Sequence, residues 1–353
     1  MRTNPFRGFI LGVLLVTLLC PAGDLALLAQ TKDKQPPPQP EQAPGGFSIA
    51  VTVPVVSVDV VVTDNNGNYL TGLKKENFRI TEDGAVQTIS NFGASDAPIT
   101  IVLLLEFSKL GYEIFSVNAI NWAAAFLGNL KQNDWVALET FNMRPHVDVD
   151  FTHNGRDVLQ GLSQLYFPPF SESNLFDAVS DVLDRIKDVK GKKSVLVLAS
   201  GMDTFSKMNL DQALKRVRET DATIFTVGVG EQLFMQAEMG GGGGFGQQLN
   251  FIQAENQLKT FASMTGGRSF FPRFDGEIPS IMQDVAASLR NQYSMAYSPS
   301  NGALDGKYRK IKVELVAPDG GPLTVKNQNG KKVKFQVYAR QGYTAPKSSV
   351  DAN

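Results

Sequence analysis

An acidic residue and a serine follow the most apolar stretch of the sequence. Glu106 and Ser108 come directly after residues 99–105, a continuous apolar run. Such a run predicts a strand that is buried on both faces of a parallel sheet. Ligands of open α/β sheets bind beside the carboxyl ends of these strands. The pair Glu106 and Ser108 therefore marks the first candidate site of the chain.

A second polar pattern alternates along residues 145–153. It contains His146, Asp148, Asp150 and His153, which on one face of a strand would resemble a metal site or the centre of a hydrolase. No further ligand is evident, so the pattern favours an exposed polar strand edge. The chain has no Gly-x-Ser-x-Gly motif, and nothing pairs a nucleophile with a base. An enzyme is therefore the disfavoured interpretation.

Composition excludes several other classes of function. The chain of 353 residues has 34 basic and 35 acidic side chains, a balance that argues against a nucleic-acid binder. Cys20 is the only cysteine, so a disulfide framework and a Cys-ligated zinc site are excluded. The glycines of 240–246 are not followed by Lys-Ser or Lys-Thr, and they indicate a flexible loop instead of a phosphate-binding loop.

The middle of the chain alternates strand and helix patterns. Apolar runs at 99–105, 194–199 and 222–229 predict adjacent central strands, with a further strand at 135–141. This alternation predicts an α/β fold with a doubly wound, mainly parallel sheet and helices on both faces. The predicted helices are 174–186, 210–219, 257–264 and 278–290. Another helix is expected to turn Ile114, Val117, Ile120, Ala124, Leu127 and Leu130 inward.

Both ends of this α/β region are flanked by short strand patterns. Val56, Val58, Val60 and Val62 alternate with more polar residues, which predicts a half-buried strand. After residue 291, strands are predicted at 293–297, 308–315 and 333–338. The two flanks are expected to build one β-sandwich-like module, with the α/β domain inserted in it.

The N-terminus has the pattern of a secretory signal. Arg2 and Arg7 precede a short apolar run, and a small residue, Ala29, stands where cleavage would leave Gln30 first. Residues 1–29 are therefore predicted to be a signal peptide, and an uncleaved anchor is the alternative. The Pro- and Gln-rich residues 30–48 predict a linker. No second apolar run is long enough to span a bilayer, so the mature chain is expected to lack a transmembrane helix.

The strand end at Glu106 resembles the metal-ion-dependent adhesion site of von Willebrand factor A domains. That family's motif is Asp-x-Ser-x-Ser, completed by a Thr and a second Asp from two later loops. Residues 173–178, Ser-Asn-Leu-Phe-Asp-Ala, are similar to the loop that carries the Thr. Residues 199–204, Ala-Ser-Gly-Met-Asp-Thr, fall where the second Asp loop is expected. The resemblance implies a non-enzymatic domain with a Rossmann-like sheet.

The flanking segments resemble one branch of this family, the VWFA-related proteins described from acidobacteria. The resemblance covers about 50–345. It is carried in the N-terminal flank by 58–67, 73–78 and 82–84, and in the C-terminal flank by 289–293, 297–299 and 305–311.

The sequence departs from the family's metal motif at several positions. Glu106 stands where the family has Asp, Leu110 replaces the second Ser, and Ser200 replaces the second Asp. Mg²⁺ requires near-octahedral oxygen ligands and usually one or two carboxylates. The resemblance therefore implies a degenerate site and no cofactor, with weak Mg²⁺ or Mn²⁺ binding as the alternative. The residues of this site are Glu106, Ser108, Ser173, Ser200 and Asp203.

Together these features predict an exported binding module. A protein partner is expected to dock on the loops around the degenerate site, with Lys109, Leu110 and Asn174 on the contact surface. The alternatives are a structural component of a cell-envelope assembly and a hydrolase that uses His146 and His153. The location is predicted to be secreted, periplasmic or envelope-bound. The predicted segments are 1–29, 30–48, 49–97, 98–291, 292–345 and a disordered tail, 346–353.

Overall fold

The structure is a computed structural model, and it describes residues 55–94, 97–109, 112–239, 245–326 and 332–347. The predicted signal peptide, the predicted linker and Cys20 lie outside these residues, as do Leu110 and residues 348–353 of the predicted tail. Within the described residues, no helix is long and apolar enough to cross a membrane.

The described residues form alternating strands and helices in the middle of the chain and strands on either side. The strands are β1 Val56–Asp64, β2 Phe78–Glu82, β3 Ala85–Gln87, β4 Ile89–Ala94, β5 Ile99–Glu106, β6 Trp135–Phe141, β7 Pro145–Thr152, β8 Lys192–Ala199, β9 Thr223–Gly228, β10 Ser269–Phe270, β11 Tyr293–Tyr297, β12 Tyr308–Leu315, β13 Val325–Lys326, β14 Lys332–Val333, β15 Phe335–Ala339 and β16 Gly342–Thr344. The helices are α1 Tyr112–Leu127, α2 Gly155–Ser163, α3 Leu175–Ile186, α4 Leu210–Glu219, α5 Gly230–Met239, α6 Phe245–Thr265 and α7 Ile278–Arg290, with 3-10 turns at Lys75–Asn77 and Asp275–Glu277.

A six-stranded sheet forms the centre of the described chain, in the order β10-β9-β8-β5-β6-β7. All neighbouring strands are parallel except β7, which is antiparallel at the edge. Every residue of β5 is buried, as expected for a central parallel strand. Leu103 of β5 lies between Leu196 of β8 and Leu138 of β6. The predicted adjacency of the three apolar runs is confirmed.

Helices cover both faces of this sheet. Successive side chains of β5 point to opposite faces, so Ile101 and Leu103 join one apolar core while Val102 and Leu104 join the other. The first core is completed by α1, α2, α5 and α7, and the second by α3, α4 and α6. The predicted α/β fold, with a mainly parallel sheet between two helical layers, is confirmed.

The inward row predicted for helix α1 is confirmed only in part, because Leu127 and Leu130 pack against the first core but Ala124 is exposed. Ile120 is 40% exposed, whereas Trp122 and Phe126 are buried in the first core. Trp122 and Phe126 are four residues apart and therefore lie on one side of the helix. Each of these two aromatic side chains buries a large apolar area. The largest side chains determine how the helix is rotated against the sheet.

Strands from both flanks form two further antiparallel sheets. Their orders are β15-β1-β11-β4 and β16-β12-β2-β3, and their inner faces share one apolar core. Val58 and Val60 of β1 pack in this core with Ile80 of β2 and Tyr297 of β11. Both ends of the described chain therefore contribute to the β layers that accompany the α/β sheet, as predicted. The limits of the individual domains stay a prediction.

A polar contact joins the N-terminal β segment to α7. The hydroxyl of Tyr69 donates to the backbone oxygen of Asp284 at 2.8 Å and lies 2.8 Å from the hydroxyl of Ser288. Arg268 forms an ion pair of 2.7 Å with the carboxylate of Asp284. These groups hold the loop after β1 against the last helix of the α/β sheet.

Candidate functional site

Glu106 is the last residue of β5, and its side chain is completely buried. Ser108 donates its hydroxyl to Oε1 of Glu106 at 2.9 Å. Ser200, which follows β8, donates both its backbone amide and its hydroxyl to Oε2, each at 2.7 Å. The carboxyl group therefore bridges the ends of two neighbouring strands and does not face solvent.

The buried position alters the acidity of this carboxyl group. Burial raises the pKa of Glu106 above its ordinary value, because the charged form loses its contact with water. The hydrogen bonds from Ser200 and Ser108 favour the charged form and oppose this shift only in part.

A tight turn after β8 positions Ser200. Gly201 has a φ of +83°, and an added Cβ there would lie 2.7 Å from the backbone oxygen of Ala254. Only glycine adopts this backbone conformation without strain and leaves room for the close approach of α6. The hydroxyl of Ser200 also accepts a bond of 3.1 Å from the amide of Met202. The sequence Ser-Gly is therefore what aims both donors of Ser200 at Glu106.

Asp203 caps a helix. Its Oδ1 accepts the backbone amide of Phe176 at 3.1 Å, in the first turn of α3, and the hydroxyl of Ser206 at 2.5 Å. A carboxylate at a helix N-terminus satisfies an orphan amide and complements the helix dipole. In return, Asp177 of α3 accepts the amides of Lys207 and Met208. These reciprocal bonds fasten the loop after β8 to the start of α3.

Ser173 and Asn174 lie below the surface, immediately before α3. The backbone oxygen of Ser173 accepts the amides of Thr204 and Phe205 at 2.8 and 2.9 Å. Ser173 Oγ and Asn174 Oδ1 are buried and have no hydrogen-bond partner within the part of the chain that the structure describes. Asn174 is only 2% exposed, so its predicted place on the partner surface is wrong. The backbone amide of Asn174 donates to the backbone oxygen of Asn142 and holds the loop before α3 in place.

The side chains at this end of the sheet do not fit a divalent cation. A cation needs several oxygens that converge on one point, but both oxygens of Glu106 are already bonded to Ser108 and Ser200. Asp203 is directed at α3, and the two unpartnered oxygens belong to uncharged groups. Among the described residues, no three His, Cys, Asp or Glu side chains come together as a metal centre.

His146 and His153 do not share a site. His146 lies opposite Thr140, at one end of the β6–β7 pair, and Thr152, just before His153, lies opposite Val136 at the other end. An extended strand rises about 3.3 Å per residue, so the two histidines are about 23 Å apart. His146 Nδ1 is 3.0 Å from Asp148, whereas His153 Nδ1 donates to the backbone oxygen of Asp134. The predicted hydrolase centre is therefore not assembled.

A group of four exposed aromatic side chains lies beside these loops, and three of them line a cleft. We call this group the aromatic rim, and it consists of Tyr166, Phe167, Phe170 and Phe205, which are 90, 57, 48 and 48% exposed. The cleft has a volume of about 1050 Å³, and Tyr166, Phe170 and Phe205 line it together with Met143, Arg144 and His146.

The rim is attached to the same loops as the buried bridge, which is the hydrogen-bonded contact between Glu106 and Ser200. The amide of Lys109, an exposed residue on the predicted partner surface, donates to the backbone oxygen of Phe170 at 2.7 Å. Sequence reasoning missed the rim, because these aromatics follow neither a helical nor a strand period. The one signal was the run Leu165-Tyr-Phe-Pro-Pro-Phe170, which is apolar although its prolines disfavour regular structure.

A sequence profile of the von Willebrand factor type A domain matches residues 100–280, slightly more than half of the chain. The chain belongs to this family. The match covers β5 through the start of α7, and it includes the buried bridge and the aromatic rim. No curated protein sequence matched the chain.

Several solved structures are similar to part of the chain. Proximal thread matrix protein 1 from the mussel byssus, with a zinc-occupied MIDAS motif, is 14% identical over 59% of this chain and 50% of its own, with a TM-score of 0.43. The vWF domain of the type V pili tip protein Mfa5 from Porphyromonas gingivalis is 12% identical over 56% and 96%, with a TM-score of 0.42. The PilB minor pilin from Streptococcus sanguinis is 7% identical over 56% and 62%, with a TM-score of 0.41. The chain spans about half the length of the mussel protein.

Proposed function

We propose that this chain is a non-enzymatic, adhesion-type module that binds a protein partner through the aromatic rim. The observation that carries the proposal is the exposure of four large aromatic side chains, three of which line one cleft at the carboxyl ends of the parallel strands. Soluble proteins rarely expose large apolar side chains together without an interaction to cover them. Aromatic residues are also the side chains most enriched in protein interfaces.

The structure supports the rim as a preformed docking surface. Phe205 is held by the bond from its amide to Ser173, and Phe170 is held by the bond from Lys109. Since the backbone around these side chains is already fixed, binding a partner costs little ordering entropy. Truncating one central aromatic anchor of an interface costs about 2 kcal/mol, which is about 30-fold in Kd.

The proposal includes an exported location, in the secreted, periplasmic or envelope fraction of a bacterium. It rests on the N-terminal sequence pattern and on the resemblance of the flanks to the acidobacterial VWFA-related branch. A structural role in an envelope assembly without a specific ligand is the alternative. It differs from the main proposal because it does not require the rim to select a partner.

Affinity capture of binding proteins from the native envelope fraction, followed by mass spectrometry, tests whether the rim binds a protein partner. The native full chain is compared with the double variant Tyr166→Ser/Phe170→Ser and with Phe274→Ser, which removes an aromatic that is 67% exposed and outside the cleft. We expect the native chain and Phe274→Ser to enrich the same protein, and the double variant to lose it. Equal enrichment by all three chains would contradict the proposal and favour the structural alternative.

A further inference from the structure

The loops that follow β5 and β8 carry the candidate site, so their relative position must be held by some contact between them. In the family motif that this chain resembles, acidic side chains from both loops face a cation. Here the side chains at the same positions do not fit one, and the two loops are joined directly from Glu106 to Ser200.

We propose that the buried carboxyl group of Glu106 replaces the cation as the tie between the β5 and β8 loops, and that Ser200 is the matching half of this tie. The loops are then organised in the absence of any ion. The proposal concerns the construction of this end of the domain and holds whichever partner the rim binds.

The length of the side chain at position 106 is the first argument. Neighbouring strands in a sheet are about 4.8 Å apart. Glu106 crosses this gap and places Oε2 2.7 Å from both donors of Ser200. An aspartate is one methylene shorter, about 1.5 Å, and its oxygens would be left beyond hydrogen-bond distance of those donors. The longer acid is what makes the direct bridge possible.

The chemistry at position 200 is the second argument. Ser200 offers two donors to Glu106, whereas an aspartate at this position would set a second carboxylate against the first. Two buried carboxylates in contact repel each other unless a cation or a proton lies between them. The two departures from the family motif, Glu at 106 and Ser at 200, are therefore one coupled solution.

The third argument is that the groups of this contact are buried and that both carboxyl oxygens of Glu106 are hydrogen-bonded. Glu106, Ser108 and Ser200 are at most 1% exposed, and both carboxyl oxygens accept bonds of normal length. A buried carboxyl group is tolerated only where such bonds compensate for lost water. The tie meets this requirement with groups of the chain itself.

Thermal unfolding of the full chain in EDTA and in millimolar MgCl₂ tests the tie. We expect the native midpoint to be the same in both solutions. Glu106→Asp should lower it by about 5 °C, because the bonds to Ser200 are lost. The isosteric Glu106→Gln, which keeps an acceptor for Ser200, should stay closer to the native chain. The double variant Glu106→Asp/Ser200→Asp should be unstable in EDTA and regain stability in MgCl₂.

A matched control is available in the β layers. Glu82 is also a buried glutamate, and it accepts the hydroxyls of Tyr297 and Tyr343 at 2.8 and 3.0 Å. Glu82→Asp should lower the midpoint without any response to MgCl₂.

Three outcomes would overturn the proposal. They are a native midpoint that rises in MgCl₂, a Glu106→Asp chain as stable as the native one, and a double variant that ignores MgCl₂. If Glu106→Asp does not fold, Ser108→Ala and Ser200→Ala remove one hydroxyl donor each and should lower the midpoint by a few degrees. An unchanged midpoint in both alanine variants would equally overturn it.

Discussion

Ser200 places two donors, its backbone amide and its hydroxyl, on a single oxygen of Glu106, and each lies 2.7 Å away. This contact joins the ends of two central strands without a metal ion. It explains how a chain of the von Willebrand factor type A family keeps the loops at this end of the sheet in order although two acidic positions of the motif are changed.

The turn that aims Ser200 should be sensitive to any side chain at position 201. Gly201→Ala combines a φ of +83° with a contact of 2.7 Å to the backbone oxygen of Ala254. We expect a loss of about 3 kcal/mol in the free energy of unfolding. Gly191→Ala is the control, because its φ is +88° and no atom lies within 4 Å of the added Cβ. Its loss should be about 1 kcal/mol. Equal losses in urea unfolding would show that the contact with α6 is unimportant.

The contact between Tyr69 and α7 should contribute to stability. Tyr69→Phe removes the hydroxyl that bonds to Asp284 and Ser288. These partners are partly buried, so we expect a loss of about 1–2 kcal/mol in the free energy of unfolding. Tyr338→Phe removes a hydroxyl whose one bond among the described residues is to the exposed side chain of Gln336, and it should cost less than about 0.5 kcal/mol. A Tyr69→Phe chain as stable as Tyr338→Phe would mean that the β segment is held to α7 by other contacts.

The fold was largely predictable from the sequence, because its elements carry clear periods. The bounds of α4, α7, β11 and β12 agree with the predicted ones, since each pattern ends at a cap, a turn or a charged residue. Helix α2, helix α5 and the first half of α6 were missed. The exposed Leu249 and Ile252 in α6 show why, since its apolar residues do not form a single inward row.

The candidate site was predictable only in part. The apolar run predicts that a strand ends at residue 106, but it does not predict which groups each side chain of the site contacts. The side chain of Glu106 is directed inward because Ser200, just after the neighbouring strand β8, donates to it. The side chain of Asp203 is directed away from Glu106 because it accepts a backbone amide at the start of α3. The residues of each of these contacts are far apart in sequence, so no local sequence pattern predicts the contacts. The separation of His146 from His153, in contrast, follows directly from the rise of an extended strand.

Stability should depend on pH through Glu139. This carboxyl group is buried and forms an ion pair with Arg185. Burial raises the pKa of Glu139 above its ordinary value of 4.5, and the bond to Arg185 offsets this only in part. The folded chain therefore holds this proton more tightly than the unfolded chain. The associated stability is fully present below pH 4.5 and is lost as the pH rises through the folded value.

Comparison with Glu139→Gln isolates this effect, because glutamine does not titrate. Between pH 4.5 and pH 7, the free energy of unfolding of the native chain should fall relative to that of Glu139→Gln. Urea unfolding of both chains at the two pH values provides the measurement. A native chain that gains stability over the variant as the pH rises would show that the ion pair with Arg185 outweighs burial.

Restoring the family motif should restore ion binding. The triple variant Glu106→Asp, Leu110→Ser, Ser200→Asp provides the missing oxygens and removes the direct tie. We expect it to bind Mg²⁺ or Mn²⁺ in calorimetry, because two carboxylates then compensate for the water that the ion loses. A triple variant that folds and binds neither ion would contradict the proposal that Glu106 and Ser200 replace a cation.

Titration calorimetry of the native full chain with Mg²⁺ and with Mn²⁺ tests the central claim most directly, namely that Glu106 is a bridge between loops and not a metal ligand. The site described here predicts millimolar or weaker binding, about −4 kcal/mol or less in magnitude, and no difference between the native chain and Glu106→Ala. Micromolar binding of either ion that is abolished by Glu106→Ala would contradict it.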